Sequence, residues 1–383
     1  MRDPRSRPRH PIRSSIVVVI CALLGAGVMS RDVAPGELKD TLTASRTRTS
    51  QVGFPIAWYD ALQDTRGLSR IASERMNGVM PYYSDKGDVG SYLDAAQAAH
   101  VQVLLEIPRR FVRTIDDSAL RSFVRTYKAR PALFGWYLAD EPSTNMELGP
   151  LTGPKARRLY RAIKLEDPRH PVAIALGPNE NPRPYASALD VLMYDDYPCM
   201  RRTPEFGNFS AWSRRVAAAS RAAQPHAFVP VIQAFGGAWG NRLPTTAEER
   251  YMVYSSIQDG AAGIFFWTRY RSDSKWINHT LTPITTDLEV MRPALAAGAL
   301  SGVAAEGANV TASVFRDPRT GHTYLVVVNR GGHGSKAIVY ARGPLAGRHA
   351  VVSLDDATRV QRFKADRVSL PLGRYGVTLL RVE

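Results

Sequence analysis

Residues Phe134 to Pro142 read FGWYLADEP, an apolar and aromatic run with the character of a buried strand that breaks off in two adjacent carboxylates, Asp140 and Glu141, and a proline. The acids stand where the strand leaves its sheet. Seven further runs share this build. FPIAWYD (54–60), GVMPYY (78–83) and VQVLLEIP (101–108) precede it, and PVAIALGP (171–178), DVLMYDDYP (190–198), FVPVIQAFGG (228–237) and GIFFWTRY (263–270) follow. Between them lie amphipathic stretches such as SYLDAAQAAH, DSALRSFVRTYKA and GPKARRLYRAIKLED, with apolar residues at three- and four-residue spacing. Eight strands, each followed by a helix, within about 250 residues predict a (β/α)8 TIM barrel. A doubly wound open sheet is the competing arrangement, but no GxGxxG or GxxxxGKS/T follows any of the strands.

Beyond Leu300 the pattern changes. TASVFRDPRTGHTYLVVVNR reads as two alternating runs joined by a turn, and AIVYAR, HAVVSL, QRFKADRVSLPL and YGVTLLRVE continue as short strands. The chain therefore divides into an N-terminal segment (1–30), a polar linker (31–50), an α/β barrel (51–299) and a small all-β sandwich (300–383). The first thirty residues have an Arg-rich start and an apolar stretch from Ile16 to Met29, which is the layout of a secretory signal. The expectation is a secreted or periplasmic protein, or one held at the membrane if that segment is retained. Cys21 invites a lipoprotein reading, but Ile20 stands where a small residue is expected.

In a (β/α)8 barrel the active site lies at the C-terminal ends of the strands. Those ends carry Trp58, Tyr59 and Asp60 on the first strand, Tyr82 on the second, Glu106 on the third and Asp140 and Glu141 on the fourth. The sixth ends in Tyr194, Asp195, Asp196 and Tyr197, the seventh in Gln233 with Trp239 beyond it, and the eighth in Trp267 and Arg269. A ring of carboxylates among aromatics suits carbohydrate. Sugars stack their C–H faces on rings and bond their hydroxyls to Asp, Gln and Arg, and breaking a glycosidic bond takes a proton donor and a second carboxylate.

GWYLADEP resembles the fourth-strand motif of the glycoside hydrolases of the large (β/α)8 clan, in which the final Glu is the general acid/base. DVLMYDDYP resembles the sixth strand of many such barrels. The resemblance spans roughly residues 50 to 300 and implies that Glu141 is the proton donor, with Asp140 in support. Clan members that form a covalent intermediate carry a nucleophilic Glu at the end of strand 7, where this chain has Gln233. The second role passes first to Asp195, in alternation register with Val191, Met193 and Tyr197, then to Asp196, Glu106 and Asp60. MYDDYP and GIFFW also resemble the chitinase-like barrels, although their D-x-x-D-x-D-x-E run is absent before Glu141. Trp58, Tyr59, Tyr82, Trp136, Tyr194, Tyr197, Trp239, Trp267 and Arg269 are the expected substrate contacts. The competing structural role for Asp140 and Glu141 is to cap the following helix.

The expected partner is a poly- or oligosaccharide; the alternative is a barrel that binds glycan without cleaving it, or assists polysaccharide assembly or export. The formal charge is +15, of which the N-terminal segment carries +4. The basic residues are mostly Arg spread along the chain, without runs interleaved with aromatics, which argues against nucleic acid. Only Cys199 follows the N-terminal segment, so a mature chain has no intrachain disulfide, and the eight His show no HExxH or HxH spacing. No metal or cofactor is implied.

Overall fold

A computed structural model describes residues 53–60, 65–81, 87–144, 150–178, 180–223, 227–237, 242–355 and 358–383. The N-terminal segment and linker, Tyr82 and Trp239 lie outside the described residues, as does the side chain of Asp60. No described helix is long and apolar enough to cross a membrane.

Eight parallel strands close into a barrel in sequence order: β1 (Ile56–Asp60), β2 (Gly78–Pro81), β3 (Gln102–Glu106), β4 (Leu133–Asp140), β5 (Val172–Leu176), β6 (Val191–Asp195), β7 (Ala227–Gln233) and β8 (Ile264–Trp267). Helices α1 (Leu68–Ser73), α2 (Val89–Ala98), α3 (Arg109–Thr114), α4 (Asp117–Tyr127), α5 (Gly153–Glu166), α6 (Phe206–Ala223), α7 (Thr246–Gln258) and α8 (Thr282–Ala297) accompany them. One expected helix is missing among the described residues: between β5 and β6 they form one 3-10 turn, Arg183–Tyr185, and no α-helix.

Two apolar layers result from the pleat, because successive side chains of a strand point to opposite faces. Ala57, Tyr59, Leu104, Tyr137, Ala173, Ala175, Val191, Met193, Val229, Val231 and Phe265 fill the barrel. Ile56, Trp58, Val103, Leu105, Trp136, Leu192, Tyr194 and Phe266 face outward under the helices. β4 departs from strict alternation. Its register shifts against β3 between Val103 and Leu104, and against β5 between Tyr137 and Ala139, so Phe134 and Tyr137 turn inward while Trp136 and Leu138 turn outward.

Nine short strands follow: β9 (Ala299–Leu300), β10 (Ala305–Glu306), β11 (Val310–Arg316), β12 (Thr323–Asn329), β13 (Ser335–Tyr340), β14 (Ala350–Ser353), β15 (Val360–Arg362), β16 (Arg367–Leu372) and β17 (Val377–Val382). They form a six-stranded sheet, β15-β14-β17-β12-β11-β9, and a three-stranded one, β10-β13-β16, around Val314, Leu325, Val327, Val339, Val368 and Leu380. The other face of the larger sheet joins the barrel: Phe315, Tyr324, Val326, Val328 and Leu379 belong to the same continuous core as the helix layer. Arg330 crosses the junction to Asp259 at 2.8 Å, in a pair whose side chains are 9% and 4% exposed. It also donates to Ser210 Oγ at 2.7 Å and to the Ser255 carbonyl at 3.1 Å.

Candidate active site

The ends of β4, β5 and β6 bring four carboxyl groups, Asp140, Glu141, Glu180 and Asp195, within electrostatic reach of one another. Asp140 closes β4 with its side chain turned to the barrel axis. Its Oδ1 accepts from Tyr59 Oη at 2.7 Å and Tyr137 Oη at 2.8 Å, and the two phenols also bond each other. Burial pushes the Asp140 carboxyl up, against the pull of both phenols and of the Arg109 guanidinium. Arg109 is tied to Glu106 at 3.0 Å. Glu106, at the end of β3, is thus one half of an ion pair below the rim.

Glu141 follows in a left-handed conformation, φ +40°, in which a non-glycine residue is uncommon. Its N–H still donates to the Ala175 carbonyl at 3.0 Å, so the kink sits at the last rung of the sheet. The half-buried carboxylate lies over Gly177 in the β5 loop. A Cβ on Gly177 would stand 2.6 Å from Glu141 Oε1 and 2.8 Å from its Cδ. Burial, then the charges of Asp140 and Glu180, raise its pKa, while Thr144 Oγ1, at 3.3 Å from Oε2, works the other way. The helix-cap role weighed from the sequence is not seen among the described residues, where the next helix, α5, begins at Gly153 with Thr152 at its N-cap position.

Glu180 has no counterpart in the sequence reading. Its Oε2 accepts from Gly177 N at 2.8 Å and its Oε1 from Ser143 N at 2.7 Å and from the Ser143 hydroxyl, clasping the β4 and β5 loops around Glu141. An acid in a short irregular loop carries no periodic signal, and none of its partners is adjacent in sequence.

Asp195 ends β6 on the inward face, in line with Val191 and Met193. Its Oδ2 accepts from Tyr197 Oη at 3.1 Å, while Oδ1 is buried with no hydrogen-bond partner among the described residues. Burial and the neighbouring charges of Asp140 and Glu141 push its pKa well up. Tyr197 packs against Trp267, ring centroids 5.0 Å apart, and both pack on Phe235. Half-buried Trp267 thus forms one aromatic wall beside Asp195.

Several expected contacts lie elsewhere. Trp58, Trp136 and Tyr194 are buried on the outward faces of their strands. The indole of Trp58 donates to Glu74 at 2.7 Å, that of Trp136 to Asp167 at 2.9 Å, and Tyr194 stacks on Trp212. Arg269 grips Glu74 through Nε and Nη2 at 2.8 to 3.2 Å, on the same outer side. Asp196 points away from the cluster, with Arg201 and Glu205 as its charged neighbours, and burial raises its pKa. Gln233 spends both ends of its buried amide on backbone: Oε1 accepts from Cys199 N at 2.9 Å and Nε2 donates to the Phe235 carbonyl at 3.2 Å. It braces the β6 and β7 loops.

No family model matches the chain, and no curated protein matches it in sequence. Solved structures do match in fold. A GH27 β-L-arabinopyranosidase from Geobacillus stearothermophilus superposes with a TM-score of 0.59 at 11% identity, covering 89% of this chain and 98% of its own. A GH30 endoxylanase from Clostridium papyrosolvens C71 gives 0.55 at 10% identity, covering 86% and 96%. An α-amylase from Geobacillus thermoleovorans, complexed with acarbose, gives 0.54 at 11% identity, covering 83% and 91%. The chain has the barrel-plus-β-domain fold of glycoside hydrolases.

Proposed function

We propose that the protein is a glycoside hydrolase in which Glu141 is the general acid/base and Asp195 the second carboxylate. The observation that carries this reading is the pairing, at one strand-end rim, of a half-buried Glu beside other carboxylates and a buried Asp whose Oδ1 has no hydrogen-bond partner among the described residues. Glu141 gives its proton to the glycosidic oxygen as the C–O bond breaks. Asp195 acts in its ionised form, which the Tyr197 hydroxyl favours against burial and the neighbouring acids: it either attacks the anomeric carbon, to be displaced later by water that returns a proton to Glu141, or takes the proton of an attacking water. Asp140, held by Tyr59 and Tyr137, positions Glu141, and Trp267 offers a stacking face. The Arg-rich, apolar N-terminal segment supports action outside the cytoplasm.

The test is reducing-end release from a panel of oligo- and polysaccharides by the wild type, Glu141→Gln and Asp195→Asn. Turnover by the wild type and loss in both variants supports the reading, and the anomer first formed, read by NMR, assigns the role of Asp195. Binding of glycan without turnover by the wild type refutes it in favour of the non-hydrolytic alternative, whose support is the absence of an acid at Gln233.

A further inference from the structure

A second face of the protein gathers positive charge. At the N-terminal ends of the strands, opposite the carboxylate rim, a cavity of about 760 Å³ reaches Gln102 and Leu133 and is lined by Lys128, Arg130, Arg169, Arg292, Arg319 and two histidines, with no Asp or Glu. These cations come from separate parts of the chain: the end of α4, the turn before β5, α8 and the β11–β12 hairpin. Arg130 is paired with Asp94 and Lys128 donates to the Glu166 carbonyl at 2.6 Å. The guanidinium groups of Arg169 and Arg292 have no carboxylate partner among the described residues, while Arg319 lies beside Asp317, whose Oδ1 accepts from its backbone N–H at 2.8 Å.

A neighbouring cavity of about 660 Å³ lies along α4 and α5, lined by Arg121, Arg157, Arg158 and Arg161. Its single acid, Asp117, is taken by Arg158 at 2.8 Å, which leaves Arg157 and Arg161 without a carboxylate partner among the described residues. Glu166 joins the two cavities: its carbonyl holds Lys128 of the first, and its carboxylate holds Arg121 of the second at 2.6 Å. Helix α4 alone, 11 residues, spans about 16 Å, so the track exceeds what one small anion needs.

Like charges gathered in concave surfaces repel, and they concentrate a mobile anion at the surface. The fork of each arginine fits the planar geometry of carboxylate and the oxygens of sulfate. Neither cavity is lined by Trp or Tyr among the described residues; Phe134 lines the first, with its ring tilted against Phe265 at the barrel end. The stacking platforms on which single-stranded nucleic acids rest are therefore missing. We propose that this track, which starts on the face opposite the candidate active site and continues up the barrel flank along α4 and α5, is a binding site for an anionic polysaccharide chain, read through its carboxylate or sulfate groups. The proposal goes beyond the hydrolase reading and does not depend on it.

The test measures binding of the full chain to polygalacturonate and to heparin at 50 mM NaCl. Expected is a Kd that rises at least about tenfold in Arg157→Glu/Arg161→Glu and in Arg169→Glu/Arg292→Glu/Arg319→Glu, and by a similar factor on raising the salt to 200 mM. Polygalacturonate carries carboxylate alone and heparin carries carboxylate and sulfate, so tighter binding of heparin shows a contribution from sulfate. Glu141→Gln should bind as wild type, and the milder Arg157→Gln/Arg161→Gln pair repeats the test should the reversed charges impair folding. The proposal is overturned if neither glycan binds, if Glu141→Gln abolishes binding, if Arg342→Glu/Arg362→Glu elsewhere on the surface weakens it equally, or if single-stranded DNA binds more tightly than both glycans.

Discussion

Gly177→Ala separates the position of Glu141 from the stability of the barrel. The new methyl would stand 2.6 Å from Glu141 Oε1, 2.8 Å from Cδ and 3.0 Å from Cγ, so the carboxylate must retreat by roughly 0.8 Å to restore ordinary contact. What has to move is the end of a half-exposed side chain, and Gly177 has no left-handed backbone to lose. The fold should therefore hold, and the alanine itself can add about 0.4–1 kcal/mol by restricting the unfolded chain. Function should not hold, because a misplacement of about 1 Å at a reacting group costs on the order of 100-fold, equivalent to about 2.7 kcal/mol of barrier. The assay is kcat on the glycan cleaved by the wild type, beside a melting curve. A variant that melts like wild type and keeps more than about a third of its kcat would refute the placement of Glu141 over Gly177 as the working one.

Three further outcomes follow from the same geometry. In Glu180→Gln one negative charge leaves the neighbourhood of Glu141, so its pKa falls, its proton is lost at lower pH, and the alkaline limb of kcat/KM should move toward acid; an unmoved limb would exclude Glu141 as the group titrating there. In Tyr197→Phe, Asp195 loses the donor that favours its ionised form, so the acid limb should move to higher pH, and a shift the other way would contradict its role as the ionised partner. Arg330→Met strands Asp259 in a buried site and should cost about 3 kcal/mol in chemical denaturation, part of it recovered by adding Asp259→Asn; an unchanged midpoint would show that the pair contributes nothing.

The barrel was legible because its strands are apolar runs set between amphipathic helices, a pattern on the scale of the whole chain. The missing β5–β6 helix was not, since a connection of a dozen residues reads equally as a turn or a short helix. At the rim, Asp195 could be placed by counting back to Val191 and Met193, and the same count sends Tyr194 to the helices. Trp58 beside Tyr59 obeys the same rule: adjacent residues of a strand face opposite sides of the pleat, so of the two only Tyr59 reaches the barrel interior. Trp136 is a different case. Strict alternation would put it on the side of Asp140, and only the bulge at Leu138 separates them. Glu180 and the strut formed by Gln233 depend on loops that meet only after folding.

The shared core between the barrel and the larger C-terminal sheet bears on how the gene can be cut. A boundary at residue 299 is a boundary of pattern. Phe315, Tyr324, Val326, Val328 and Leu379 cover the apolar side of the barrel's helix layer, and Arg330 neutralises Asp259 within it. A shortened chain ending there would carry a bare hydrophobic flank and lose the cation held by Asp259, so the appended sheet is a wall of the barrel and not a detachable module for trimming or grafting.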